Sequence, residues 1–393
     1  MIESTHYSGL TLFRKCPQAY GYKYVARLEA STDQPLTARD FGSWWHAVMA
    51  AESLERGREQ KSLRYVPEEI TTVDDGPTFP GESVTVQDVL EGADKWWRTL
   101  SDEHREVWTD WLGQKVPDRL KGLLSRWLDQ WREDREHEEV LAVEMPWKRT
   151  LPGTETELFG TVDEVYRDTR RGMIVVRDHK TVGDLSNRTA VDDMMDSQLS
   201  LYSWGAAPTV TAWGLGKIKA VAYDRVRSIA PKQPQVTASG GLSKSVSAYD
   251  LQTYLEWAAG PDGQGVPWGK EGEYFKSGAK KGKPKFGRYT AEEAVVERLS
   301  TPVARGMWFQ RSVSPLNVNL VKVHLRAAIQ SAHGVGETVE QFERIGEAPR
   351  NLTRTGCKWC EFADLCRAQM VGGPDGEYDP ADYGLQKREE GTR

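Results

Sequence analysis

The chain has 393 residues, 38% of them apolar and 28% charged, with a net charge of −6. That mixture describes a globular protein large enough for more than one domain, and no apolar run approaches the ~20 residues that a membrane-crossing helix needs. The acidic balance is mildly unfavourable for a DNA binder, yet it leaves room for a local basic groove beside an acidic site.

Met1 to Leu10 has neither a basic start nor an apolar stretch, so no secretion signal is expected and a cytoplasmic location follows. Ser8 to Tyr24 carries helical spacing, with Pro17 opening a new turn in its middle. A second helix is predicted from Asp40, as N-cap, through Trp44, Trp45, Val48 and Met49. Residues 61–84 hold Pro67, Gly76, Pro77, Pro80 and Gly81 and read as a loop.

From 86 to 137 tryptophans and leucines recur at three- and four-residue steps, including Trp96, Trp97, Trp108, Trp111, Leu120, Leu124, Trp127 and Trp131. A packed helical layer explains them, and a base-stacking platform for single-stranded DNA is the alternative. Strands are predicted at Val140–Pro146, Leu158–Arg167 and Gly172–Asp178, the last two joined as a hairpin by Asp168-Thr169-Arg170-Arg171. Asp192–Trp204 returns to a helical pattern, and Lys217–Arg227 reads as a strand. Residues 228–248 and 258–288 are rich in Pro, Gly, Ser and Lys and read as an insertion around a helix near Tyr249–Ala258. Alternation from Val313, a helix around Leu325–Phe342, a cysteine-rich segment and a loosely ordered acidic tail complete the chain.

The strongest chemical signal is Val176-Arg177-Asp178-His179-Lys180 at the end of a β-branched strand. Side chains alternate along a strand, so Asp178 and Lys180 share a face. A carboxylate can hold a divalent cation while the neighbouring ammonium orients a water or stabilises charge growing on a phosphate. The hairpin brings Asp163 to the same end of the sheet, and with a histidine these groups suit Mg²⁺ or Mn²⁺. An ordinary surface ion pair is the competing account of Asp178 and Lys180. Gly42 precedes His46 by one helical turn and permits close packing against the sheet, Gln198 and Tyr202 share one helix face, and Glu144 lies in the strand before the hairpin.

Taken in order, Gly42 and His46, Glu144, Gly160 and Asp163, Asp178 and Lys180, and Gln198 and Tyr202 resemble the motifs of the RecB-like branch of the PD-(D/E)XK nuclease superfamily. The resemblance implies that His46, Asp163 and Asp178 bind the metal, with the backbone carbonyl of His179 as a further ligand. It implies Lys180 as the catalytic lysine, Gln198 and Tyr202 beside the site near the DNA backbone, and Glu144 as a supporting member of the catalytic set. Val162 stands where the superfamily's name has Pro, a departure that this branch tolerates.

Cysteines number four. In a reducing compartment they point to metal or catalysis rather than disulfides. Cys357, Cys360 and Cys366 cluster near the C-terminus, and Cys16 stands alone near the start. Thiolates are soft ligands for Zn²⁺ or an iron–sulfur cluster, and structural zinc usually draws two close pairs. The one-plus-three order resembles the iron–sulfur staple of AddB-type helicase-nucleases and of CRISPR-adaptation nucleases in the same branch, which implies a [4Fe–4S] cluster.

The basic stretch Lys276, Lys280, Lys281, Lys283, Lys285 and Arg288 is a candidate DNA-binding loop, with a solvated loop as its bland counterpart. Lys217, Lys219, Arg225 and Arg227 are a second candidate lining. The expected protein is therefore an α/β nuclease with a central mixed sheet flanked by helices, a restriction-endonuclease-like core. Its expected divisions are 1–60 (cluster cysteine and ligand helix), 61–139 (helical insertion), 140–227 (nuclease core), 228–300 (basic insertion), 301–372 (core return and cluster segment) and 373–393 (acidic tail). DNA is the implied substrate, in recombination, repair or phage DNA metabolism. No G-x-x-x-x-G-K-[ST] is present, so a helicase or recombination partner would be a separate chain. Two rival classes are a non-catalytic, zinc-stabilised nucleic-acid-binding protein and a redox enzyme, the latter lacking any G-x-G-x-x-G after a strand.

Overall fold

A computed structural model describes residues 4–30, 37–73, 76–185, 190–234, 250–260, 296, 299–358, 360–371 and 378–388. The basic stretch from Lys276 to Arg288 lies outside these residues. The chain begins with β1 (Ser4–His6), α1 (Tyr7–Lys15), the short α2 (Pro17–Tyr20), β2 (Leu28–Ala30) and α3 (Thr37–Gln60). Because α3 starts at Thr37, Asp40 is not its N-cap; it sits inside the first turn, where a carboxylate still meets the positive end of the helix dipole. Within the loop-like stretch 61–84, a small antiparallel pair forms from β3 (Glu69–Ile70) and β4 (Phe79–Pro80).

Next come α4 (Val86–Thr99), α5 (Asp102–Leu112), α6 (Val116–Gln130) and α7 (Arg132–Arg135). Their breaks follow local chemistry: a Thr85–Asp88 capping box opens α4, Gly113 closes α5 at φ +83°, and Pro117 falls in the first turn of α6. Trp97, Trp108 and Trp127 from these helices pack with Trp44 and Trp45 of α3, so tryptophan here builds core.

The sheet strands β5 (Glu138–Thr150), β6 (Glu157–Asp168) and β7 (Met173–Val182) are followed by α8 (Ala190–Met195), α9 (Ser197–Ala212), β8 (Ile218–Arg227), α10 (Leu251–Ala259) and β9 (Phe309–Pro315). Among the described residues the sheet runs β1-β6-β7-β8-β9, with β5 on the other edge of β6; β7 and β8 are parallel, and β5, β6 and β7 are successively antiparallel. It is a mixed sheet between helical layers. The layer of α3, α4 and α6 covers one face, while α1, α9 and the long helix Val318–Ile345 cover the other. That long helix starts at Val318 on an Asn317 cap, earlier than its expected start near Leu325, and strand alternation therefore stops at Pro315.

The two ends of the chain meet. Strand β10 (Leu385–Lys387) pairs antiparallel with β2, and Leu385 packs with Leu28, Tyr22 and Phe362. The tail is thus ordered at 378–388, contrary to expectation, because buried Leu385, the half-buried Tyr378 and Tyr383 and a ladder partner anchor it. No helix among the described residues is long and apolar enough to cross a membrane.

Candidate metal centre

The site is made by a parting of strands. β6 and β7 are paired from Asp168–Met173 up to Glu164–Arg177, and beyond that point the edge of β6 is taken over by β1, at Glu157 to Phe159. Asp163 is the first residue past the last pair. Its Oδ2 accepts the backbone N–H of His179 at 2.8 Å, so a carboxylate stands in for the missing ladder carbonyl. His46 of α3 brings its Nδ1 to 3.2 Å from the same oxygen. The close approach of α3 depends on Gly42, where a Cβ would already sit 3.3 Å from the Thr181 hydroxyl of β7.

Glu144 reaches the site from β5. Val143 pairs with Glu164 and Met145 with Val162, which sets Glu144 opposite Asp163. Like charges facing each other across a strand pair are destabilising. Glu144 also has φ +47°, a left-handed conformation costing on the order of 1–3 kcal/mol in a non-glycine residue. His46, Glu144 and Asp163 can each offer a ligand atom within 4.8 Å of the others. A strained backbone that brings two carboxylates and an imidazole together fits a divalent cation, which removes the repulsion.

Asp178 and Lys180 stand beside this group on β7. Asp178 is 1% exposed, so the pair is no surface ion pair. The Lys180 ammonium lies 3.0 Å from Asp178 Oδ1 and 2.9 Å from Oδ2, and Gln198 of α9 donates to Oδ1 at 2.6 Å. Asp196 caps α9 by accepting from the backbone N–H of Gln198, which orients that residue toward the strand. Tyr202, one turn further, packs edge-on against Trp147 and Tyr7. Gly160 and Gly205 make room: a Cβ on Gly160 would crowd both Trp147 and Tyr202 at 3.1–3.2 Å, and one on Gly205 would overlap Trp147.

The electrostatics mark the centre as short of positive charge. Burial, then Asp163 and Asp178, push the Glu144 carboxyl well above the usual range. Burial and the Asp163 charge push Asp178 up to about 7, with Lys180 opposing them. Burial lowers the His46 imidazole despite the raising effect of Asp163, so it sits as a neutral ligand-competent ring. Burial alone would lower Lys180, but Asp178 and Asp163 reverse that and hold it protonated. Burial, with Asp178 and Asp163, raises the Tyr202 phenol and keeps it a hydrogen-bond donor.

A family model described as the PD-(D/E)XK nuclease superfamily matches residues 6–367. The chain belongs to this superfamily. PD-(D/E)XK nucleases use divalent metals, and the acidic group His46–Glu144–Asp163 is the candidate place for one in this chain. The mixed sheet flanked by helices is consistent with the superfamily's restriction-endonuclease-like core. No curated protein matches the chain. Solved structures that match include one described as "Crystal structure of SSO0001", at 11% identity, covering 83% of this chain and 96% of that one, with a TM-score of 0.25; a likeness that weak adds nothing to the fold described above.

In this PD-(D/E)XK chain the residues singled out from sequence fall into two adjoining groups. His46, Glu144 and Asp163 converge, while Asp178, Lys180 and Gln198 are joined by direct contacts beside them. Glu144, expected only as a support, takes a place among the candidate ligands; its strained backbone is what aims it, and nothing in the sequence announces a positive φ. Of the second candidate DNA lining, Arg225 is 1% exposed and paired with Asp193, and Arg227 stacks on Trp308. Both are thereby occupied within the protein, because β8 is an interior strand, whereas Lys217 and Lys219 are exposed. Sequence reasoning overlooked a set of buried charges: Glu164 and Arg177, each one residue from Asp163 or Asp178, with Glu138 and the Arg311 side chain beside them. Charged residues interrupting apolar strand runs, as in Val162-Asp163-Glu164-Val165 and Val176-Arg177-Asp178, were the available signal.

The cysteines gather at the junction of the two chain ends. One pocket of about 570 Å³ is lined by Cys16, Cys357, Cys360 and Cys366. Cys16, Cys360 and Cys366 pack against Tyr22, Phe362 and Leu365, and burial pushes the Cys360 thiol up, with Cys16 and Cys366 adding to it.

Proposed function

We propose that this chain is a Mg²⁺- or Mn²⁺-dependent deoxyribonuclease of the RecB-like branch, an exonuclease acting in recombination, repair or phage DNA metabolism. The observation that carries the reading is the convergence of His46, Glu144 and Asp163, with the Asp178–Lys180 pair alongside, where β6 and β7 part. Under it, His46, Glu144, Asp163 and Asp178 hold the cation, together with the His179 carbonyl that the family resemblance implies. A divalent ion held there supplies Lewis acidity and acidifies water. Lys180 keeps a fixed positive charge beside Asp178, suited to orienting a nucleophile or to meeting charge on a phosphate. Gln198 locks the Asp178 carboxylate, and Tyr202 presents a neutral phenol as donor. The basic stretch Lys280, Lys281, Lys283, Lys285 and Arg288 is proposed to neutralise DNA phosphates.

We further propose a [4Fe–4S] cluster on Cys16, Cys357, Cys360 and Cys366. Four thiols from opposite ends of the sequence line a single pocket, an arrangement suited to a soft, bulky inorganic group. The deciding assay uses anaerobically purified full-length protein, end-labelled linear DNA and closed circular DNA, with and without Mn²⁺. Metal-dependent loss of linear DNA with circles intact is expected. Cutting of circles would overturn the exonucleolytic mode, and no cleavage of either substrate would overturn the nuclease reading. Iron and sulfide are expected on elemental analysis; zinc alone would return the chain to a zinc-stabilised binding protein.

A further inference from the structure

His179 lies between Asp178 and Lys180, yet alternation turns its ring to the opposite face of the sheet, toward α3 and α6. The residue is 2% exposed. Its Nε2 stands 3.6 Å from Glu164 Oε2, and its ring meets Trp127 of α6 edge-on with centroids 6.3 Å apart. Neither ring nitrogen forms a hydrogen bond, so the imidazole is placed by packing and by the charge of Glu164. Both neighbours are themselves fixed. Glu164 accepts from Ser53 at 2.8 Å, Arg177 at 3.3 Å and Arg56 at 3.4 Å. Trp127 donates its indole N–H to Asp224 at 3.1 Å, Asp224 accepts from Arg311, and Arg311 also donates to Glu138.

The same residue's backbone N–H is the one that Asp163 accepts at 2.8 Å, and that Asp163 oxygen is the one nearest His46. The ring and the N–H of one residue move together. We propose that the buried His179 imidazole, wedged between Glu164 and Trp127, is a positioning residue that sets the Asp163 carboxylate for metal binding. This gives the helical insertion a part in the site, since Trp127 of α6 forms one wall of the wedge. The inference rests on the metal-centre reading above and adds to it a group on the far side of the sheet. Partners that orient first ligands typically change metal affinity by about 10–100-fold when lost.

Mn²⁺ binding to the DNA-free full-length protein, measured by calorimetry, tests this together with melting in EDTA. His179→Ala and Trp127→Ala are expected to weaken Mn²⁺ binding by about tenfold or more. His179→Gln, whose amide nitrogen can occupy the Nε2 position beside Glu164, is expected to recover most of that loss. At saturating Mn²⁺ the KM for DNA should stay at the wild-type value, because the ring does not face the substrate side. Mn²⁺ affinity within twofold of wild type in a His179→Ala protein that melts normally overturns the proposal. Should His179→Ala melt early, His179→Leu decides, since it keeps most of the ring's volume but sets no nitrogen beside Glu164: Mn²⁺ affinity within twofold of wild type in that variant would also overturn the proposal. A wild-type protein whose Mn²⁺ binding is indifferent to Asp163→Ala sinks the metal-centre reading instead, so the two failures are distinguishable.

Discussion

Two sets of buried carboxylates sit on opposite faces of the same strands, and their surroundings could hardly differ more. On the α3 face Glu138 and Glu164 are interleaved with Arg56, Arg177 and Arg311. Although burial opposes it, Arg177 and Arg311 bring the Glu138 carboxyl down to about 2, and Arg177 leads the groups that hold Glu164 well below its usual value. On the α9 face and at the strand parting, Glu144, Asp163 and Asp178 have Lys180 as their ammonium neighbour, and burial pushes Glu144 and Asp178 upward. Asp163 and Glu164 are adjacent in sequence, as are Arg177 and Asp178. The difference teaches that a buried acid with its own arginines is a finished structural element, whereas one without them is a place made for a cation.

The sharpest way to break this comparison is to remove one member from each side. Lys180→Ala or Asp178→Ala should lower DNA cleavage by about a thousandfold or more; the metal-free Asp178→Ala protein should melt no earlier than wild type, since a site crowded with carboxylates loses little by losing one, whereas Lys180→Ala takes the ammonium from buried Asp178 and should melt earlier. Retained cleavage in Lys180→Ala removes that residue from the chemistry. Arg177→Ala should do the reverse. It removes the fully buried guanidinium between Glu138 and Glu164, leaving them Arg56 and, for Glu138, Arg311, and should cost about 3 kcal/mol of stability, read from denaturant unfolding. A loss under 1 kcal/mol would show that the α3-face network is dispensable.

Cys360→Ala should lower the melting temperature and abolish any iron content, because ligand binding that ties both chain ends together adds directly to folding free energy. Unchanged melting would leave the β2–β10 pairing and the Leu385 contacts as the sufficient closure. The smallest expected effect is on pH dependence. Asp178 is raised from 3.8 in the unfolded chain to about 7 in the fold, so its contribution to metal-free stability is present at low pH and is lost as pH rises through about 7. A bound cation needs the ionised form. The melting-temperature gain given by Mn²⁺ should therefore be larger at pH 8 than at pH 6, by on the order of a few degrees. An equal gain at both would mean that Asp178 titrates elsewhere.

Much of the site was legible because its signals are local. Period two puts Asp178 and Lys180 on one face, and their ion pair follows. The hairpin could be read from its β-branched runs and polar turn, and the helical spacing of Gln198 and Tyr202 was correct, both lying on α9. Glu144 was not legible as a candidate ligand, because its place beside His46 and Asp163 depends on a backbone twist that any residue type would hide. The anchored tail was also missed, since Leu385, Tyr378 and Tyr383, which carry its burial, are scattered among polar residues.

What the sequence alone determined is therefore the order of chemical groups, the strands and helices that carry them, and the four thiols divided between the two ends. These depend on periodicity and on turn and capping chemistry, which act over a few residues. Only the tertiary structure decided which acid belongs to which face, that β6 and β7 part just at Asp163, and that Trp127 of a distant helix reaches His179. Those facts depend on contacts between segments far apart along the chain, where burial and the nearest opposite charge, rather than residue type, set what a carboxylate does.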